Sequence, residues 1–367
     1  LKLLKRVCIV FLLSVISGCM KVPDIPEINS DALSENQRAT LASVKRLDAF
    51  PFLSMDYYGD ADADHLKMIK DSIGIQSNAC SSFTAYNEKN EALFSRNHDW
   101  PESPVLVLFT HPKSKLSSIS LVDLSLLGYT KESGFTSLKE RSKLLYSIFL
   151  PMDGMNEKGL AIGAMGCLGI GSDNDKPIAF STEIIRLVLD NAENIDQAVS
   201  IFNNHSIYNV IVPLHYLVSD SSGNSAIIEY INGKVQVQEL NRDSKALTNF
   251  RYYGSADNIA KKSDEYFLTG KVSNDVYGDS YLRYIKIRQR QVASNGILHE
   301  TEAMKLLESV SMRQKTIYGD FFTVWSVVYN LPEKKATVSI GRSYEKTYAF
   351  DLRQNMNRGT SPLSRQR

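Results

Sequence analysis

The densest run of reactive side chains lies between Cys80 and Trp100. Cys80-Ser81-Ser82-Phe83-Thr84-Ala85 is followed by Leu93-Phe94-Ser95-Arg96-Asn97-His98-Asp99-Trp100, which puts a guanidinium sixteen residues after a thiol and a carboxylate three beyond it. A thiol near a fixed cation is a candidate nucleophile, because the positive charge favours the thiolate. Taken alone, one cysteine at the start of an apolar run is more often an inert buried thiol. Arg96 and Asp99 can equally be an ion pair at a strand end, a reading that leaves their offset from Cys80 unexplained. Other chemistries have less support. The six histidines (65, 98, 111, 205, 215, 299) show no His-x-x-x-His or His/Cys spacing for zinc, and His98 reads as incidental. No Gly-x-Ser-x-Gly elbow occurs, the Cys-Gly-Ser-Cys-Trp surroundings of papain-like enzymes are missing, and Gly166, Gly169 and Gly171 do not form a dinucleotide fingerprint. Neither metal nor cofactor is expected.

The elements around these residues read as strands, helices, strands, helices and strands. Short apolar runs with β character occupy 80–85, 92–96, 105–109 and 118–124, the first two joined by the polar turn Asn87-Glu88-Lys89-Asn90. Helical spacing follows at 181–191, with Ser181 or Thr182 as cap, and at 194–204. A meander over 214–219, 225–231 and 234–240 turns at Asn232-Gly233, a strong two-residue hairpin signal. Helical patterns return at 280–293 and 300–312, and closing strands fit 323–330, 335–340 and 347–352. Segregated strands and helices predict α+β packing, with two stacked antiparallel sheets and helices outside.

The Cys80–Trp100 run resembles the choloylglycine hydrolase and penicillin acylase group of N-terminal-nucleophile hydrolases, with the related penicillin acyltransferases and acid ceramidases. In that group a cysteine opens the mature chain and an Arg-Asn-x-Asp-Trp-like motif follows at this spacing. Asp153-Gly154-Met155-Asn156-Glu157-Lys158-Gly159-Leu160 is similar to the group's Asn-Glu-Lys-Gly-Leu turn into a strand. Ala246-Leu247-Thr248-Asn249 resembles the strand whose asparagine serves the oxyanion hole, and Ser280-Tyr281-Leu282-Arg283-Tyr284 resembles the Ser-x-x-Arg-Phe helix. The resemblance covers roughly 80–350 and implies a four-layer αββα sandwich. It departs where bile salt hydrolases carry an asparagine after the Asn-Glu-x-Gly-Leu strand, since this chain has Gly166-Cys167 there. A backbone N–H at the glycine is then the expected second oxyanion donor, and Cys167 reads as a small core residue.

The resemblance implies linear amide hydrolysis with named roles. Cys80 supplies the nucleophile, and its own α-amine is the base, since a reference pKa near 7.7–8.0 suits that work. Asp99 holds the amine, Arg96 favours the thiolate, Asn249 donates to the oxyanion and Arg283 orders the polar side of the pocket. Cys80 must then become N-terminal, so 1–18 and 19–79 have to be removed, the second cut being autocatalytic attack of Cys80 on the Ala79 carbonyl. The substrate class is a small N-acylated amide. An acyltransferase and an inactive binding lipoprotein are the rival readings.

The first nineteen residues read as an address. Lys2, Lys5 and Arg6 precede an apolar run from Val7 to Ile16 that is too short to span a bilayer, and Ile16-Ser17-Gly18-Cys19 resembles the bacterial lipobox. Lipidation of Cys19 and a membrane-anchored place in the cell envelope are expected. The divisions are therefore a signal peptide (1–18), a lipidated tether and pro-segment (19–79), a catalytic domain (80–353) and a mobile tail (354–367). Forty-two Lys and Arg against 41 Asp and Glu give a net charge of +1, which offers no footprint for a nucleic-acid backbone. Nothing in the pattern reads out an oligomeric state.

Overall fold

The computed structural model describes residues 25–61, 63–70, 79–167, 176–209, 213–242, 245–273, 279–316 and 319–356. Residues 1–18, expected as a signal peptide, together with Cys19, Gly169, Gly171 and the residues beyond 356, lie outside the described residues. Among them, two large sheets stack. A nine-stranded sheet runs in spatial order Lys45–Asp48, Phe52–Tyr58, Val105–His111, Ser118–Asp123, Pro151–Asn156, Ala161–Gly166, Leu214–Ser219, Ser225–Ile231 and Lys234–Glu239. A seven-stranded sheet runs Ala246–Leu247, Ala79–Tyr86, Ala92–Pro101, Gly319–Asn330, Lys335–Ile340 and Thr347–Asp351, with Arg313–Thr316 pairing to Gly319–Asn330.

Helices Glu183–Asn191 and Ile195–Asn203 cover the nine-stranded sheet, and Ser280–Ala293 and Glu300–Ser309 cover the other. The expected α+β four-layer sandwich is therefore present. Layering explains why Val105–His111 and Ser118–Asp123 are buried at every position: a central sheet with both faces covered needs no polar face. In Glu183–Asn191 the residues Ile184, Ile185, Val188 and Leu189 form the buried stripe of an amphipathic helix, and Asn194 caps the next helix through the Gln197 N–H. Asn232 and Gly233, both at positive φ, close the expected hairpin between Ile231 and Lys234.

Within the stretch expected as a lipidated tether and pro-segment, residues 25–61 carry regular structure. Ser34 and Gln37 form a capping box that starts helix Glu35–Ala42, and strand Lys45–Asp48 follows. Phe52–Tyr58 then pairs in parallel with Val105–His111, from Phe52 opposite Val105 to Tyr58 opposite His111. Its buried Phe52, Leu53, Met55 and Tyr57 explain the docking: a strand with this much apolar surface finds its place against the sheet core. Helix Ala256–Thr269 also falls outside the expected set. None of its residues is fully buried, and Ile259 and Tyr266 pack only partly buried against the core beside the Ser280–Ala293 helix.

Candidate active site

Strand pairing brings the first group of predicted residues together. Ala79–Tyr86 runs antiparallel to Ala92–Pro101 with Cys80 opposite His98 and Ser82 opposite Arg96. Side chains alternate along a strand, so Cys80, Arg96 and His98 share the face turned to the nine-stranded sheet. Ser81, Asn97 and Asp99 take the other face, where the Asn97 amide donates to the Leu307 carbonyl of the outer helix. Ala246–Leu247 pairs with Phe83 and Ser82, which sets Asn249 beside the start of the Cys80 strand. Ser280, first residue of its helix, receives the Asn249 backbone N–H at 2.8 Å, and one turn later Arg283 reaches the same place. Both ends of the Ser280-x-x-Arg283 motif therefore serve one site.

Three atoms of Cys80 have separate buried partners. Its backbone N–H donates to Asn249 Oδ1 at 2.7 Å, its carbonyl oxygen accepts from Arg283 Nη1 at 2.6 Å, and its sulfur lies 3.4 Å from Arg96 Nη2. Arg283 also donates to Ser81 Oγ (2.5 Å) and Asn249 Oδ1 (2.9 Å). Arg96 is fully buried and paired with Asp153 Oδ2 at 2.5 Å, and Asp153 accepts further hydrogen bonds from Trp325 Nε1 and Tyr329 OH. A buried ion pair is tolerated when its remaining lone pairs are satisfied in this way. Gly163 makes room for it: a Cβ there would lie 2.8 Å from Arg96 Cδ and 3.1 Å from Phe94 Cζ.

The surroundings of the uncut site bear on two of the expected roles. Burial pushes the Cys80 thiol up to about 11; the Arg96 charge opposes this, Asp99 adds to it, and the Asp99 backbone N–H and Arg283 oppose it. Burial wins, so in the intact chain Cys80 is a neutral thiol despite Arg96. Asn249 meets Cys80 through its carbonyl oxygen, while its Nδ2 donates to the Gly166 carbonyl at 2.8 Å. At Gly166, then, the carbonyl faces Asn249. Asp99 stands opposite Ala79, accepts from Thr323 Oγ1 through Oδ1, and keeps Oδ2 buried without a hydrogen-bond partner, 3.7 Å from Arg283 Nη1. Burial raises its pKa against the pull of Arg283 and Thr323.

Two further groups escaped the sequence reading. His98 is buried, with Nδ1 3.3 Å from Arg96 Nη2 and 3.9 Å from the Cys80 sulfur, and Nε2 3.2 Å from Asp123 Oδ2. His215 contacts Glu229 Oε1 through Nδ1 (2.9 Å) and the Thr248 carbonyl through Nε2 (2.6 Å). Glu229 also accepts the N–H groups of Tyr252 and Tyr253, so this pair pins the loop that carries Asn249. Burial pulls the His215 pKa down, but the Cys167 sulfur and Glu229 outweigh it and raise it to about 10. With Cys167, these two also form the one His/Cys/Glu cluster of metal-ligand spacing among the described residues, within 4.8 Å. Both ring nitrogens already face acceptors, which fits an imidazolium better than a metal ligand. A lone His and a lone Glu in fully buried apolar strands are the signals that mark them.

The sequence model of the acyl-coenzyme A:6-aminopenicillanic acid acyl-transferase family matches residues 86–344, more than half of the chain. The chain belongs to that family. The match takes in Arg96, Asp99, Asn249 and Arg283 and starts six residues after Cys80. The penicillin V acylase of Pectobacterium atrosepticum is 29% identical over 192 residues, 47% of this chain and 49% of that protein. The chain thus spans about half the length of this curated relative. Among solved structures, a point mutant of the conjugated bile acid hydrolase from Clostridium perfringens aligns with TM-score 0.54 at 16% identity, covering 75% of this chain and 93% of that one. Penicillin V acylase from Agrobacterium tumefaciens aligns with TM-score 0.53 at 21% identity over 75% and 87%. The family member described here has the fold of these two proteins.

Proposed function

We propose that this chain is an autoprocessing N-terminal-cysteine amidase that hydrolyses the linear, non-peptide C–N bond of a small N-acylated molecule. The observation that carries the reading is the separate grip on three atoms of Cys80, by Asn249 on the nitrogen, Arg283 on the carbonyl and Arg96 on the sulfur. A structural cysteine needs no such set. Once the bond before Cys80 is cut, Arg283 still holds the residue by its carbonyl, and the freed amine has Asn249 Oδ1 as acceptor, with Asp99, whose Oδ2 makes no hydrogen bond and lies 3.7 Å from Arg283 Nη1, as the nearby carboxylate. The amine then takes the thiol proton, the sulfur attacks the substrate carbonyl, the proton passes to the leaving nitrogen, and water releases the acyl group. Asn249 Nδ2 serves the oxyanion only by leaving the Gly166 carbonyl.

The family match favours one second reading, in which an amine replaces water at the thioester and the acyl group is transferred. The lipobox-like Ile16-Ser17-Gly18-Cys19 supports anchoring of the chain to the cell envelope through acylated Cys19. Cys80→Ser tested on a panel of N-acyl amides, with and without an added amine acceptor, addresses the chemistry. Loss of both products supports the nucleophile, their ratio separates hydrolysis from transfer, and full retained activity would refute it.

A further inference from the structure

The α-amine cannot start the cut that creates it. In the uncut chain the Cys80 nitrogen is a peptide N–H donated to Asn249, and the thiol is neutral, so some other group must take the sulfur's proton. His98 has the geometry. Its Nδ1 lies 3.9 Å from the sulfur, directly across the strand pair. Nε2 faces Asp123 Oδ2 and, taken as its donor, carries the hydrogen, so Nδ1 keeps the lone pair that faces both Arg96 Nη2 at 3.3 Å and the Cys80 sulfur. Asp123 is itself fixed: Oδ2 also accepts from Ser103 Oγ, and Oδ1 accepts from the backbone N–H and hydroxyl of Ser125. The ring is clamped by stacking on Trp325 at 3.9 Å between centroids and 16° between planes. Burial lowers the His98 pKa; Asp123 and Asp153 pull it up and Arg96 pulls it down, and the net result is a neutral ring. A nucleophile, a base within reach and a third group that orients the base make the usual constellation of an activated thiol.

We propose that His98, aligned by Asp123, is the general base for autocatalytic cleavage of the Ala79–Cys80 bond, an inference that rests on the N-terminal-cysteine reading above. The thiol proton moves to His98 Nδ1 as the sulfur bonds to the Ala79 carbonyl carbon. The C–N bond breaks with its electron pair on the Cys80 nitrogen, which takes the proton from His98 and becomes the amine. Water then hydrolyses the thioester, leaving the Ala79 carboxylate and the free thiol. His98 ends as it began.

The test follows formation of the chain that starts at Cys80 by intact mass in freshly refolded full-length protein, for wild type, His98→Gln and Asp123→Asn. General-base loss slows such steps by roughly 10²–10⁴, so His98→Gln should process at least about a hundredfold more slowly and Asp123→Asn should be slowed as well. Residual cleavage in His98→Gln should climb with pH toward the thiol titration near 11, while wild type levels off above neutral pH. Hydroxylamine, which traps thioesters, should not rescue His98→Gln, because the thioester is not made. Wild-type cleavage rates in a cooperatively melting His98→Gln, or rescue of that variant by hydroxylamine, would overturn the proposal alone. Absence of a Cys80-started chain in the wild type would instead sink the N-terminal reading and this inference with it.

Discussion

After the bond before Cys80 is opened, the two pieces should remain one particle, and Phe52 is the residue on which this can be measured. Phe52 is fully buried, stands edge-on to Tyr348 at 5.0 Å and Phe350 at 6.2 Å between centroids, and sits in a strand paired with Val105–His111. Asp48 adds a second attachment through Lys346 (2.6 Å) and the Tyr348 hydroxyl, contacts that hold its carboxyl down at about 2. Replacing a core Phe by Ala costs roughly 3–5 kcal/mol, the lost transfer energy plus the cavity. In the uncut chain that loss lowers global stability. In the opened chain it falls on the association of two pieces, where about 1.4 kcal/mol is tenfold in the dissociation constant, giving a weakening of roughly two to three and a half decades. Gel filtration of opened wild type and opened Phe52→Ala across a dilution series reads this directly. Wild-type pieces that separate at once, or Phe52→Ala pieces that hold as tightly as wild type, would refute the reasoning.

Gly163→Ala should lower the melting temperature and turnover together, because the added methyl meets Arg96 and Phe94 and overpacking costs roughly 1–3 kcal/mol; unchanged melting and turnover would contradict the packing account. His215 gives a pH prediction with a definite sign. Its folded pKa is raised to about 10 from 6.5, so its stabilisation is fully present below about pH 6.5 and lost as pH rises through about 10. The difference in melting temperature between wild type and His215→Gln should therefore shrink over that window, and a constant difference would show that the ring is not charged. Asn249→Ala removes both the oxygen that accepts the Cys80 N–H and the Nδ2 donor proposed to turn to the oxyanion, so the Cys80-started enzyme should lose turnover by roughly 10²-fold or more, checked by initial rates; near-normal turnover would leave Asn249 without a role.

Much of this fold was legible because periodic burial leaves a pattern in the chain. Leu214–Ser219, Ser225–Ile231, Ser280–Ala293 and Lys335–Ile340 fall where the spacing predicts them. Pro151–Asn156 and Ala161–Gly166 do not advertise themselves, since Pro, Asp and Gly dilute the first and the second is small and buried on both faces. Phe52–Tyr58 was hidden by its position in a stretch that reads as a tether. The site divides in the same way. Cys80, Arg96, Asn249 and Arg283 were readable as ordered motifs, whereas the roles of His98 and His215 depend on partners 25 and 14 residues away, Asp123 and Glu229, brought in by other strands. The thiol's protonation was also unreadable, because Arg96 is visible in the sequence and the burial that outweighs it is not.

The N-terminus of the mature, active chain tests the central claim most directly. Intact mass and N-terminal sequencing of purified, catalytically competent protein should give a chain that begins Cys80-Ser81-Ser82-Phe83. An active enzyme in which Cys80 is still covalently joined to Ala79 would contradict the account, because no α-amine would exist to act as the base.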